Sequence, residues 1–339
     1  MFESLTDFEN YAKESSLRNI LLIGARGGLC HLLIKLLWQI NPHIKITAID
    51  NTEPNYTSAN MKFIKNSFHR GIFENLLKNQ HFHAILCLGH YPYFDLVQNK
   101  KLYRQVNISP FFPHHIQEIA AENSVERFLF LSSHMVSTLT SSSSLYPSKK
   151  INLFDYIALC DSRIERRQQS PQTYILRPCL IVGPSLDNFI SRYLRYPVLP
   201  YLYCSNFDQV KWQFLHEYDM VKILLFFLFA PATYLPPGEY NIAPPTDISN
   251  FEHTLPMLDV FAILKKRSIP LPLTNTLHAL SVHIPTNNFL PLLLYGANYF
   301  RTLFCENPLL DSSKLYHYYP HVMCEYDAAS AITLSQARF

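Results

Sequence analysis

The first 180 residues alternate short, almost continuous apolar runs with stretches whose apolar positions recur every three or four residues. Five runs read as strands: NILLIG (19–24), KITAID (45–50), AILCLG (84–89), RFLFLS (127–132) and TYILRP (173–178). Between them, LLIKLLWQI (32–40) and HHIQEIAAEN (114–123) carry the helical period. Strands that are apolar along their whole length and alternate with helices predict a parallel sheet covered on both faces.

After Pro178 the pattern changes. Proline, tyrosine and short apolar pieces dominate in RYPVLPYLY, YLPPGEYNIAPP and IPLPL, which predicts a smaller, irregular lobe. The run ILLFFLFA (223–230) ends at Pro231, is too short to span a bilayer and reads as a buried helix. The expected plan is an α/β, Rossmann-like, doubly wound parallel sheet with a smaller C-terminal substrate lobe. Its parts are an N-terminal extension (1–18), a dinucleotide-binding domain (19–183) and a mixed lobe (184–339) that returns a strand and a helix to the first domain.

Composition narrows the function classes. With 48% hydrophobic and 16% charged residues the chain can bury a large core. The net charge is +3 and the basic residues are scattered, which argues against a nucleic-acid partner. The opening residues carry acids early and no apolar segment, so no signal peptide and no integral membrane segment are expected. Seven cysteines without a CxxC pair suggest a reducing, cytoplasmic setting, and the 15 dispersed histidines show no metal-ligand spacing.

Only 8 glycines occur, and Gly24, Gly27 and Gly28 stand together in GARGGLC. A glycine turn between a first strand and a first helix aims free backbone N–H groups and the helix dipole at an anion such as a pyrophosphate. Asp50 closes the second strand, where a carboxylate can accept the hydroxyls of an adenosine ribose. It would repel a 2′-phosphate and so favours NAD; Arg26 argues mildly the other way and keeps NADP open. An ordinary tight turn, with Asp50 as a local cap, is the plainer reading. Cys30 occupies the place where a third glycine would let helix and strand pack closely.

ILLIGARGGLC, ILCLGH (85–90), RFLFLSSHMVS (127–137), YILRPCLIVGP (174–184), QFLHEYDMVKILLFFL (213–228) and GEYNIAPP (238–245) occur in that order. Together they resemble the short-chain dehydrogenase/reductase superfamily, in its extended and atypical branch of NAD-dependent epimerases and dehydratases. The resemblance implies a cofactor site formed by Gly24, Arg26, Gly27, Gly28, Leu29, Asp50, Leu88, Gly89, His90, Lys150 and Pro178. It implies a serine and a tyrosine that share the substrate oxygen, and a lysine that holds the nicotinamide ribose and lowers the tyrosine pKa. Ser133 takes the serine's place. An ammonium four residues from a phenol, on one helix face, is the physical means of making that phenol a usable base.

Two tyrosines compete for the role. Tyr146 has Lys150 at i+4 and Pro147 beside it, a residue suited to a helix start. Tyr146, Lys150, Leu153, Ile157, Cys160 and Ile164 then form one stripe. Tyr156 lies nearer the extended family's spacing from the serine, but Cys160 stands at its i+4, and Asp155 could cap a shorter helix that starts at Tyr156. Tyr-x-x-x-Lys also occurs at Tyr218–Lys222, so the bare pattern means little without its place in the chain.

Asn107 resembles a family helix asparagine that helps place the lysine. Asn188, Arg192 and Arg195 are candidates for an anionic substrate, with a solvated helix face as the alternative. His216 and Asp219 read as cap and buttress of the following helix. The resemblance implies an NAD(P)-dependent oxidoreductase, epimerase or dehydratase acting on a hydroxyl or carbonyl of a small substrate, with nucleotide sugars as the leading class. Members of the family often pair through helices flanking the tyrosine, which offers a homodimer here. A catalytically degenerate NAD(P)-binding protein with a redox-sensing or assembly role is the alternative, and a membrane-associated member using residues 287–304 is a third.

Overall fold

The structure, a computed structural model, describes residues 5–54, 56, 58–65, 70–89, 112–134, 136, 153–186, 188–195, 198–202, 210–244, 254–271, 309–319 and 324–336. Along the first half the elements are α1 (Leu5–Glu14), β1 (Asn19–Ile23), α2 (Gly28–Ile40), β2 (Lys45–Asp50), β3 (Met61–Lys65), α3 (Arg70–Asn79), β4 (Ala84–Cys87), α4 (Phe112–Glu122), β5 (Arg127–Leu131), α5 (Leu153–Arg163) and β6 (Gln172–Pro178). Then follow β7 (Leu180–Val182), α6 (Phe189–Arg195), β8 (Val198–Leu202), β9 (Lys211–His216), α7 (Glu217–Phe229), β10 (Gly238–Ile242), β11 (Thr254–Pro256), α8 (Met257–Ile263), β12 (Arg267–Leu271), α9 (Ser313–Tyr318) and α10 (Ala328–Leu334).

The main sheet has seven parallel strands in the order β10-β6-β5-β4-β1-β2-β3. The chain winds outward from β1 through β2 to β3, crosses back to β4, and winds the other way. The order therefore reverses between β1 and β4, which opens a crevice at the C-terminal ends of those strands.

The inner strands of the sheet are buried on both faces, which is why they read as nearly continuous apolar runs. Ile20 and Leu22 pack with Leu33 and Leu37 of α2 and Phe226 of α7. Leu21 and Ile23 pack with Phe73 of α3, Ile116 of α4 and Cys160 of α5. Each such fully buried side chain contributes on the order of 1.5–3 kcal/mol.

The N-terminal helix closes one face, with Phe8 against Phe226 at 5.6 Å and Phe226 stacked on Tyr319 at 3.8 Å. The lobe contributes a three-stranded sheet, β11-β9-β7, and a two-stranded parallel pair, β12-β8. Gln213 joins the lobe to the later chain, its side-chain amide donating to and accepting from the Leu310 backbone at 3.3 and 2.9 Å.

Two expectations change. MKFIK is a strand the hydrophobic pattern did not announce, because β3 is an edge strand with half-exposed and exposed positions. Helix α5 includes Leu153, so a helix that begins at Tyr156 under an Asp155 cap is excluded. The apolar segment 287–304 lies outside the described residues. Among those described, no helix is long and apolar enough to cross a membrane.

Candidate cofactor and active site

The glycine turn follows β1 at the crevice. Gly24 has φ +89°, and its missing side chain lets it meet the Gly89 backbone, which any Cβ would overlap. The ends of β4, β1 and β2 are tied there: Leu88 N–H donates to Ile23 C=O, and Gly24 N–H to Ile49 C=O, each at 3.0 Å.

Three side chains then fix two successive peptide groups of the turn, the second at both its ends. The Cys30 thiol donates to Gly24 C=O at 3.1 Å, the Tyr56 hydroxyl to Ala25 C=O at 2.5 Å, and Asp50 Oδ2 accepts Arg26 N–H at 2.9 Å. Burial pushes the Cys30 thiol far above its ordinary range, with the Asp50 charge adding to it, so it keeps the proton it donates. The cysteine in the third glycine's place is thus a strut of the turn. The Tyr56 ring also stacks on His31 of α2, 4.4 Å between centroids.

Beyond these struts the backbone is open. Gly27 is the N-cap of α2 with φ −63° and no side-chain cap, and a Cβ there would meet nothing within 4 Å. Cys30 and His31 N–H groups turn back to Gly27 C=O. The N–H groups of Gly27, Gly28 and Leu29 have no partner among the described residues. Free N–H groups at the positive end of a 13-residue helix fit a pyrophosphate.

Asp50 is fully buried. Besides Arg26 its carboxylate takes Thr52 N–H at 3.3 Å, and burial, outweighing these bonds, holds its pKa above the ordinary carboxylate value. In this structure Asp50 is first a brace of the turn, and a ribose reaches it only by displacing its cover.

Adjacent serines at the end of β5 diverge. Ser132 is buried, and its hydroxyl donates to Asp161 at 2.5 Å. Asp161 also receives Arg177 at 2.7 and 2.9 Å and Arg166 at 3.1 Å, and both arginines reach Glu239 on β10. Ser133 is half-buried, in the stretch held to β6 by Ser132 N–H to Leu176 C=O and His134 N–H to Pro178 C=O. Burial lowers the His134 pKa to about 4, leaving a neutral ring whose Nδ1 lies 3.2 Å from the same Pro178 carbonyl.

The loop after β7 forms the far wall, with Ser185 C=O set against Gly28. Arg195 grips this loop by donating to the carbonyls of Gly183, Pro184 and Leu186, and also reaches Ser335 C=O. Asn188 caps α6, accepting Ser191 N–H at 2.8 Å and donating to Ile181 C=O at 2.8 Å. In this structure Arg195 and Asn188, expected as substrate residues, bond to backbone of the loop after β7 and of the start of α6. His216 is the N-cap of α7, accepting Tyr218 N–H at 3.3 Å. Asp219 holds the backbone N–H groups of Glu325 and Tyr326.

Gly24, Arg26, Gly27, Gly28, Leu29, Leu88, Gly89, Ser133 and Pro178 thus line neighbouring strand ends on the C-terminal edge of one sheet. His90, Asn107, Tyr146 and Lys150 lie outside the described residues. The backbones of Tyr156 and Arg192 lie within α5 and α6. Sequence reasoning missed Tyr56, Ser185 and Glu217, which stand at no motif position; their roles come from contacts across the fold.

No protein-family model matches this chain, and no curated protein matches it in sequence. Solved structures do match. WbmG of Bordetella bronchiseptica, in complex with NAD and UDP, is 15% identical, with 95% of this chain and 93% of that chain covered and a TM-score of 0.61. UDP-glucose 4-epimerase of Thermotoga maritima, with UDP-glucose, is 13% identical over 94% of this chain and 97% of that one, TM-score 0.59. TunA, an NAD-dependent NDP-hexosamine 5,6-dehydratase involved in tunicamycin biosynthesis, is 13% identical over 94% and 96%, TM-score 0.59. The three are an enzyme solved with NAD and UDP, a UDP-glucose 4-epimerase and an NAD-dependent dehydratase, and the chain shares their Rossmann-like α/β fold.

Proposed function

We propose that the protein binds NAD in the β1–β4 crevice and acts as an epimerase- or dehydratase-like oxidoreductase on the sugar of a nucleotide sugar. The observation that carries the reading is the braced glycine turn, whose free Gly27, Gly28 and Leu29 N–H groups stand at the switch point of the sheet. The full-length likeness to enzymes solved with NAD, UDP or UDP-glucose supports it.

In this reading the three N–H groups hold the pyrophosphate, and Asp50 meets the adenosine ribose once its cover moves, favouring NAD over NADP. The nicotinamide, when bound, supplies a hydride acceptor and donor. Ser133, half-exposed at the strand edge, orients the reacting oxygen of the sugar. Tyr146 takes and returns its proton, and Lys150 holds the nicotinamide ribose and lowers the phenol's pKa. Cys30, in the third glycine's place, is compatible with cofactor binding because its thiol donates to Gly24 C=O inside the turn.

Titration with NAD, followed by assay against UDP- and dTDP-hexoses, tests the proposal. Wild type is expected to bind NAD and turn over at least one nucleotide sugar, and Tyr146→Phe to keep NAD binding while losing about 100-fold or more in kcat. A wild type that binds NAD but turns over no sugar, with Tyr146→Phe indistinguishable from it, would establish the non-catalytic reading. A protein that does not bind NAD defeats both.

A further inference from the structure

One buried carboxyl is only half satisfied and has no part in the chemistry above. Glu217, the first residue of α7, is 3% exposed. Its Oε1 accepts the Ser185 hydroxyl at 2.8 Å and Ser185 N–H at 3.2 Å, while its buried Oε2 has no partner among the described residues. Gly183 makes the fit possible, since a Cβ there would overlap the Glu217 carboxyl group. Arg195 grips the same loop through three carbonyls, so Gly183–Leu186 is clamped by two charged side chains.

The clamp sets the Ser185 carbonyl against Gly28, where any Cβ would overlap it. Gly28 opens α2 and lies within the run of free N–H groups. An apolar residue of similar volume at 217 would remove the half-satisfied carboxyl but leave the Ser185 hydroxyl and N–H without their acceptor. Glu217 meets both Ser185 donors, which an apolar residue cannot do.

We infer that Glu217 is a positioning residue for dinucleotide binding: by holding Ser185 it fixes the wall on which the first turn of α2 rests, so that the Gly27, Gly28 and Leu29 N–H groups keep a common aim at the pyrophosphate. The inference rests on the NAD reading above. Its signature is a loss confined to ligands that carry the pyrophosphate.

Calorimetric titration of NAD and of adenosine, which lacks the pyrophosphate, on wild type, Glu217→Leu, Glu217→Gln and Ser185→Ala tests it, with thermal melts alongside. Glu217→Leu is expected to weaken NAD binding by about tenfold or more and adenosine by less than about twofold. Glu217→Gln, which keeps an acceptor for Ser185, is expected to stay within about threefold of wild type for NAD. Equal losses for both ligands, or a folded Leu variant with unchanged NAD affinity, overturn the inference. If the Leu variant does not fold, Ser185→Ala decides: weaker NAD with unchanged adenosine supports the inference, and unchanged NAD affinity overturns it. Wild type that fails to bind NAD rejects the cofactor reading itself, an outcome distinct from a wild type that binds NAD with no change of ligand ratio in the variants.

Discussion

Ser132 donates its hydroxyl to the buried Asp161 carboxylate at 2.5 Å, and this bond separates it from Ser133, its neighbour at the same strand end. Strand geometry sends successive side chains to opposite faces. One serine therefore joins the network that runs from buried Asp161 through Arg177 and Arg166 out to Glu239, and the other stays half-buried at the edge of the crevice.

Alanine at each serine is expected to give opposite results. Ser132→Ala removes a bond to a charged, buried group and is expected to cost about 1.5–3 kcal/mol of stability, with turnover per folded molecule little changed. Ser133→Ala is expected to cost less stability than Ser132→Ala and to lower kcat about 100-fold or more. Urea denaturation together with steady-state kinetics checks both. Comparable kcat losses at the two serines would remove the assignment of Ser133 to the substrate.

The glycines of the turn differ in the same testable way. Gly24 needs a positive φ and touches the Gly89 backbone, so Gly24→Ala is expected to cost about 3 kcal/mol or more from backbone strain and overlap. Gly27 has an ordinary φ and open space, so Gly27→Ala is expected to change the melting temperature little. Its methyl group would nevertheless stand beside the free N–H groups, and NAD affinity is expected to fall about tenfold or more. A Gly27→Ala protein that binds NAD like wild type would place the pyrophosphate elsewhere.

Asp219 supplies a pH dependence. It anchors the Glu325 and Tyr326 backbone, and burial pushes its pKa from 3.8 to about 6, with the Glu325 charge adding to the rise. The folded chain therefore keeps a proton that the unfolded chain releases. The contribution of Asp219 to stability is greatest below its ordinary pKa and is lost as pH rises through about 6. Relative to Asp219→Asn, wild type is expected to lose stability between about pH 4 and about pH 7 and to level off above, a trend that urea unfolding at a series of pH values measures. A difference that grows with pH would show that the carboxylate, not the acid, is the form the fold prefers.

The sheet was legible because burial on both faces leaves a simple mark. β1, β2, β4, β5 and β6 are unbroken apolar runs, and GARGGLC followed by a helix and Asp50 marked the crevice. β3 was not legible, since an edge strand with exposed lysines carries neither an apolar run nor a clean alternation. Arg195 and Asn188 showed the limit of residue type as a guide. An arginine and an asparagine near a suspected anion site read as ligands, and the fold gives both backbone contacts at a loop and a helix start that residue type does not announce.

By itself the sequence determined the alternation of inner strands with helices, the burial of those strands and the place of the glycine turn, because these follow from local periodicity and from glycine's conformational freedom. Only the tertiary structure decided which side chains brace that turn and which stay free. Tyr56 meets Ala25 across 31 residues, Glu217 meets Ser185 across 32, and Ser132 meets Asp161 across 29. Hydrogen bonds at such separations depend on how layers pack, and no local pattern encodes them.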